Sequence, residues 1–407
     1  MSSSLNVVII GNGVAGVTAA RIIKEKKPET QVSIITNENS HYYPRPRLYD
    51  VLSGDAKPQD VTILSEEWYK KNRIRVQLNK KVISIDTQQK ELLLEDQSRV
   101  KYDKLLLANG GHSFVPHIKG VKKKGVFTLR TIKDAIAIKE FTKKTTKAIV
   151  IGGGLLGLEF ASSLKKLGQK VTVVEMFPRL LPRQLDTDGA AILKNHITSR
   201  GIDVVLGAKT TEILGEITVS GIMLESGETI CGDIILFSAG IRSNIELVLK
   251  AGIIVNRGVI VDNYMRTSAE DVYAAGDVAE FKGMVYGIIP AAIEQATIAA
   301  TNILGEEHNI YTGTVPSNTL KVVNIDLTSI GIFNPKYQTY EKIKETDQKK
   351  GVYKKLVLDK GKILGAIFLG DKKGVTSIKR LIAQETDITK HKNAIINDNF
   401  DYKKTTA

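Results

Sequence analysis

A strand, a glycine-rich turn and a helix follow one another twice in this chain, and that repeat limits its fold more than any other feature. The first copy runs Leu5-Asn6-Val7-Val8-Ile9-Ile10 into Gly11-Asn12-Gly13-Val14-Ala15-Gly16, then into a helical stretch whose Val17, Ala20 and Ile23 share one face. Pro28 ends that stretch, and Gln31 to Ile35 resumes as a strand. The second copy is Ala148-Ile149-Val150-Ile151, then Gly152-Gly153-Gly154-Leu155-Leu156-Gly157, with Leu158, Ala161, Leu164 and Leu167 on the helical face. Gly168 closes that helix before the strand Val171 to Val174. Continuous β-branched runs of this kind suit parallel strands buried on both faces. The expected class is therefore α/β, with two Rossmann-like domains.

The remaining segments repeat the same layout. Hairpin-like pieces (Val82 to Ile85, Glu91 to Leu94) and a strand, Lys104 to Leu107, follow the first unit; Gly221 to Leu224 and Asp233 to Phe237 follow the second. From Val259 the chain returns to strand, passes Ala274-Ala275-Gly276-Asp277, and enters an Ala/Ile-rich helix, Ile289 to Ile303. After Val315 the texture changes: strand-like Leu320 to Ile325, Leu356 to Leu358 and Ile363 to Phe368 precede an amphipathic stretch, Val375 to Ala383. Asp398 to Ala407 reads as a polar tail. A chain of 407 residues is long enough for two or three domains. The expected division is 1–112 with 243–314, then 113–242, then a small α+β domain, 315–407.

The glycine motifs carry the chemistry. In G-x-G-x-x-G the first glycine permits a tight turn, the second lets backbone approach a pyrophosphate, and the third lets helix pack on strand. The diphosphate then meets free amides at a helix N-terminus, where the dipole favours negative charge. Each copy also has an acid about twenty positions on, Glu38 and Glu175, where a carboxylate accepts from ribose hydroxyls. An acid at a strand end is otherwise ordinary. Its place after the motif favours the ribose role for Glu175, while Asn37 beside Glu38 leaves both readings open there. The Glu175 carboxylate would repel a 2′-phosphate, so NADH is expected over NADPH, a preference that nearby Arg179 would soften.

Composition removes several alternatives. Cys231 is the sole cysteine, so an intrachain disulfide, a cycling thiol pair and a cysteine-ligated zinc or iron–sulfur centre are excluded, and no metal site is expected. Its setting reads as a half-buried small hydrophobe at a strand edge. No run of 18 apolar residues points to a membrane span, and the N-terminus lacks a basic leader, so a cytoplasmic chain is expected. Lys+Arg exceed Asp+Glu, 58 against 44, giving a net charge of +14. Runs such as Lys122-Lys123-Lys124 and Lys349-Lys350 are either solvated surface or an attraction for an acidic partner. No nucleic-acid module surrounds them.

Taken together, these residues resemble the FAD/NAD(P)-dependent pyridine nucleotide-disulfide oxidoreductases, within them NADH:rubredoxin reductases and the flavin module of nitrite reductase large subunits. The resemblance spans Leu5 to Asp371. It implies domains of the three-layer ββα type, with FAD on Gly11, Gly13, Val14, Ala15 and Gly16, and NADH on Gly152, Gly154, Leu155, Leu156 and Gly157. Tyr43-Pro44-Arg45-Pro46-Arg47 resembles the loop along the flavin, which implies that Arg45 meets the FAD phosphate or adenine region. A lysine common in relatives is here Asp50. Ala108-Asn109-Gly110 resembles the A-T-G turn beside FAD, with Asn109 in place of Thr. Thr267 to Val278 is the most specific match and implies that Asp277, after Gly276, accepts from the ribityl chain. Glu38 and Val82 join the implied FAD contacts; Glu175 and Gly240 join those of NADH. Tyr286 to Pro290 is implied to run near the isoalloxazine. Glu159 has two readings, a group near the nicotinamide or a structural acid favourable to the helix dipole.

No residue is expected to act as a covalent catalyst, because the two cofactors carry a hydride transfer between them. Disulfide-reducing and cysteine-peroxidase relatives need cysteines where this chain has Val14-Ala15-Gly16-Val17 or His41-Tyr42-Tyr43. The expected electron acceptor is a small acidic iron protein, rubredoxin or ferredoxin. The alternatives are an NADH oxidase reducing O₂, an input subunit of a larger redox complex, and a non-enzymatic NADH sensor. The sequence leaves a homodimer open.

Overall fold

The computed structural model describes residues 4–305, 309–315, 317–335, 339–392, 394–397 and 400–402. The chain divides into two compact units: Met1–Phe114 with Arg130–Ile132 and Ile241–Thr314, and Val115–Leu129 with Lys133–Gly240 and Val315–Ala407.

The first unit is built on a five-stranded parallel sheet in the order Val272–Ala274, Lys104–Leu107, Asn6–Ile10, Gln31–Ile35, Ile74–Gln77. Val7, Val8 and Ile9 in its central strand are fully buried, as a strand covered on both faces requires. Their register sets Val7 opposite Val32 on one side and Lys104 on the other. Helix Val14–Lys26 follows the first strand and packs on helix Ile289–Ile303. Alanines (Ala15, Ala19, Ala20, Ala292, Ala296, Ala299) contribute to this core and suit close helix approach. An antiparallel meander, Val82–Asp86, Glu91–Leu94 and Arg99–Lys101, adds Val82, Ile85, Leu92 and Leu94 to the same core.

The second unit repeats the plan. Its parallel sheet runs Ile202–Leu206, Lys170–Glu175, Lys147–Ile151, Ile234–Phe237, Val126–Phe127, with helices Leu155–Lys166 and Thr187–Ser199 and a meander of Thr210–Leu214, Gly221–Leu224 and Thr229–Cys231. Beyond it lies a five-stranded antiparallel sheet, Ser317–Val322, Ile325–Gly331, Lys362–Leu369, Val352–Asp359, Glu341–Asp347. Helix Val375–Ala383 seals this sheet with Val375, Ile378 and Leu381 against a core that includes Leu356, Ile363 and Phe368.

Two sequence expectations change. Leu320 to Ile325 is not one strand: Val323 and Asn324 have φ of 49° and 64°, so the segment is the turn of a hairpin between Ser317–Val322 and Ile325–Gly331. Cys231 is exposed rather than half-buried, because it ends the outer strand of its meander with its side chain turned to solvent. Of the expected polar tail, residues 398, 399 and 403–407 lie outside the described residues. Among the described residues no helix is long and apolar enough to cross a membrane.

Candidate functional site

In the first unit, the glycine turn is shaped by backbone contacts that only glycine allows. A Cβ on Gly11 (φ 111°) would lie 2.2 Å from the Ala108 carbonyl oxygen, and one on Gly16 would lie 2.0 Å from that of Gly11. Gly13 differs: its φ is −85°, and a Cβ there would meet nothing within 4 Å. The protein itself therefore does not require glycine at that position. Gly13 is also the N-cap of helix Val14–Lys26, makes no side-chain cap, and is followed by no acid in the first turn. An open space over unmet amides at a positive helix end fits a diphosphate. Ala15 is buried beside Gly276 (φ 84°), whose added Cβ would lie 3.1 Å from that of Ala15. The buried Gln295 amide oxygen accepts from Gly276 N at 2.9 Å.

Asp277 follows, with Oδ2 accepting from Arg130 Nη2 at 2.9 Å and its carbonyl accepting from Ser243 Oγ at 2.7 Å. Arg130 also turns its own carbonyl to Arg45 Nη1 at 2.8 Å. Arg45 in turn forms a bidentate pair with Glu38, and the Tyr43 hydroxyl donates to Glu38 while accepting from Arg45. Burial opposes the Glu38 charge, but the Arg45 hydrogen bonds outweigh it and hold the carboxyl below its usual range. Burial raises the Tyr43 hydroxyl well above its ordinary value, so it stays a donor. Val82 buries its side chain in the core. Asn109 is paired reciprocally with Asn244: Asn109 Nδ2 donates to the Asn244 carbonyl at 2.9 Å, and Asn244 Nδ2 to that of Asn109 at 2.7 Å. Gly110 turns at φ 63° between them and the strand Gly111–Ser113.

The second unit carries the same cradle. A Cβ on Gly152 (φ 117°) would lie 2.3 Å from the Ser238 carbonyl oxygen, and one on Gly157 would lie 1.9 Å from that of Gly152, whereas Gly154 has nothing within 4 Å. Helix Leu155–Lys166 starts there uncapped, with Leu155 half-buried and Leu156 exposed. Glu175 is 5% exposed at the end of the neighbouring strand. Its carboxylate accepts from Gly153 N at 2.6 Å and Phe177 N at 2.8 Å, so it fastens the glycine loop as well as standing beside it. Gly240 (φ 99°) borders open space. Arg179 is turned to the carbonyls of Pro182 and Leu185. Glu159 is half-buried, and its Oε1 accepts from the amide of Val323, in the turn of the C-terminal hairpin, at 3.0 Å.

Sequence reasoning missed Tyr43, Arg130, Asn244, Gln295 and Val323. Tyr43 stood inside a quoted motif; the others act across long sequence separations that no local pattern signals. Among the described residues no group of three or more His, Cys, Asp or Glu is placed to hold a metal ion.

Residues 5–301 match the pyridine nucleotide-disulphide oxidoreductase family, and residues 316–386 match the rubredoxin NAD+ reductase C-terminal domain. The chain belongs to the pyridine nucleotide-disulphide oxidoreductase family, whose members pair a flavin with a nicotinamide nucleotide. It is 38% identical to a nitrite reductase [NAD(P)H] of Bacillus subtilis (strain 168) over 94% of its own length, and spans 48% of that protein. It is 31% identical to the NADH-rubredoxin oxidoreductase of Clostridium acetobutylicum, covering 97% of this chain and 99% of that one. The crystal structure of NADH:rubredoxin oxidoreductase from Clostridium acetobutylicum superposes with a TM-score of 0.79 at 30% identity, covering 95% and 97% of the two chains. The chain spans about half the length of this nitrite reductase and of the assimilatory nitrate reductase electron transfer subunit of Bacillus subtilis (strain 168), to which it is 35% identical.

Proposed function

We propose that the chain is a flavin-dependent NADH oxidoreductase that passes electrons to a small acidic iron protein, a rubredoxin or ferredoxin. The observation that carries this reading is the pair of cradles, each with a middle glycine left open for a ligand, in a chain whose residues 316–386 match the rubredoxin NAD+ reductase C-terminal domain. FAD is assigned to Gly11–Gly16 with Asp277, and NADH to Gly152–Gly157 with Glu175. Residues 1–112 with 243–314 form the flavin domain, 113–242 the nicotinamide domain, and 315–407 the C-terminal domain.

When bound, these cofactors would supply the chemistry, transfer of a hydride (two electrons and one proton) from nicotinamide to flavin. The chain's own residues bind and orient. The two helix N-termini would offer amides to the diphosphates, and Arg130 fixes the carboxylate of Asp277 by donating to it. Arg45, Glu38 and Tyr43 form a rigid wall whose charges are already paired. Glu175 supports NADH over NADPH, because its buried carboxylate stands beside the loop where a 2′-phosphate would come.

The net charge of +14 supports an acidic acceptor, since complementary fields raise encounter rates by roughly 10- to 1000-fold and fade with salt. A lone, exposed thiol suits a reducing compartment, in keeping with a cytoplasmic location. A second reading, an electron-input module of a larger redox assembly, draws support from the nitrite reductase that this chain matches over about half its length. The test is NADH-dependent reduction of purified rubredoxin by the FAD-loaded protein at rising ionic strength. Reduction that slows with salt is expected; no reduction, or a rate indifferent to salt, overturns the reading.

A further inference from the structure

In the second unit, helix Thr187–Ser199 is held by the C-terminal sheet at both ends. At its start, Asp186 caps the helix by accepting from Gly189 N at 3.1 Å, and its Oδ2 also accepts from Tyr353 Oη and Lys355 Nζ, each at 2.7 Å. Gly189 packs closely here: a Cβ on it would lie 3.0 Å from the Tyr353 ring. At its far end, the Val323 carbonyl accepts from Arg200 Nη1 at 2.8 Å and lies 3.4 Å from His196 Nε2. The other side of the same residue faces Glu159, to which the Val323 amide donates at 3.0 Å.

Val323 is the unusual member of this group. It is β-branched and 3% exposed, yet its φ is 49°. The left-handed region is unfavourable for any residue with a Cβ and more so for a β-branched one. Such strain persists where the surroundings over-determine the backbone, and it collects at functional sites. Here the surroundings are a carboxylate on the amide and a guanidinium on the carbonyl. Burial first, then the nearby Arg200 charge, lowers the His196 pKa, which disfavours a second cation beside Arg200.

We propose that the Val323 peptide is a positioning element of the nicotinamide-nucleotide site, in which its amide fixes the Glu159 carboxylate and Arg200 fixes the peptide. The inference rests on NADH binding at Gly152–Gly157, two residues before Glu159. Val323 and Arg200 touch no reactant; they act through Glu159. The C-terminal domain thus contributes to setting the nicotinamide site and is more than a separate module for the acceptor.

The test compares the FAD-loaded wild type with Arg200→Met, Arg200→Lys, Glu159→Gln and Lys344→Met. Lys344 pairs with Asp188 at 2.6 Å and so ties the same two elements without touching Val323. Three quantities are read: the rate of flavin bleaching at saturating NADH, the NAD+ dissociation constant from perturbation of the flavin spectrum, and the melting temperature. Arg200→Met and Glu159→Gln are expected to slow bleaching on the order of 10- to 100-fold, as small misplacements of a reacting pair do. NAD+ affinity should change less than about twofold, Arg200→Lys should recover most of the rate, and Lys344→Met should bleach like the wild type. A protein carrying both Arg200→Met and Glu159→Gln, the double variant, should fall no further than Glu159→Gln alone, because Arg200 works through that residue. Wild-type bleaching in Arg200→Met or Glu159→Gln, an equal loss in Lys344→Met, or additive losses in the double variant would overturn the proposal. A wild type that NADH does not bleach at all would instead refute the assigned activity.

Discussion

Gly154 and Gly157 are three residues apart in the second cradle, and their substitution by alanine should have opposite consequences. A methyl on Gly157 would stand 1.9 Å from the Gly152 carbonyl oxygen, where real contacts do not go below roughly 3.0 Å. The obstacle is backbone, so strand and helix must part by about 1 Å, and overpacking of this kind costs about 1–3 kcal/mol. A methyl on Gly154 meets nothing within 4 Å, and the residue's φ of −78° suits alanine. There the substitution restricts only the unfolded chain and stabilises by about 0.4–1 kcal/mol. The same methyl occupies the space over the helix N-terminus assigned to the pyrophosphate, so the 1–3 kcal/mol of overpacking falls on the ligand and lowers affinity roughly 5- to 150-fold. Thermal unfolding by circular dichroism and titration with NADH separate the two effects. Gly157→Ala should melt early, while Gly154→Ala should melt at or above the wild-type temperature and bind NADH weakly. A Gly154→Ala protein that binds NADH as the wild type does would refute the reading of the open cradle.

Steady-state kcat/KM should favour NADH over NADPH by about tenfold or more, as expected where an acid rather than an arginine meets the ribose 2′-hydroxyl; an NADPH preference would contradict the role given to Glu175. Lys355→Met should cost about 3–5 kcal/mol in urea unfolding at pH 7, because it strips the cation from a carboxylate that is 7% exposed. Burial opposes ionisation of Asp186, but hydrogen bonds from Lys355 and Tyr353 prevail and depress its pKa. Its stabilisation is therefore complete above the usual aspartate value of about 3.9 and is lost as pH falls through the lower folded value. Lys355→Met should accordingly move acid unfolding to higher pH, and an unmoved acid limb in a circular-dichroism titration would count against the pair. Alkylation of the exposed Cys231 should go to completion on the folded protein, confirmed by mass, and leave the rate of flavin bleaching by NADH unchanged.

What was legible in the sequence was local. Both glycine turns were readable because their spacing reports a steric requirement, met here by the contacts of Gly11, Gly16, Gly152 and Gly157 with neighbouring carbonyls. Helices Ile289–Ile303 and Val375–Ala383 have the expected bounds, since each carries a periodic apolar face between clear stops. The turn at Val323-Asn324 escaped because a valine rarely takes positive φ, and only the hydrogen bonds to Glu159 and Arg200 explain it. For the same reason the sequence left two roles open for Glu159, whose partner lies 164 residues away. Arg130 gave no signal, because its value lies in a pair with Asp277, 147 residues on. The exposure of Cys231 depends on which strand closes its meander, which its apolar neighbours do not report.

The central claim is that one chain moves electrons from NADH through a flavin to an iron protein. The most direct measurement is an anaerobic single turnover of the FAD-loaded protein, first with one equivalent of NADH and then with oxidised rubredoxin, followed by the visible spectrum. The expected result is that NADH bleaches the flavin band and rubredoxin restores it while losing its own colour. A flavin band that NADH leaves intact would contradict the claim outright, and one that bleaches but is not restored by rubredoxin would contradict the acceptor.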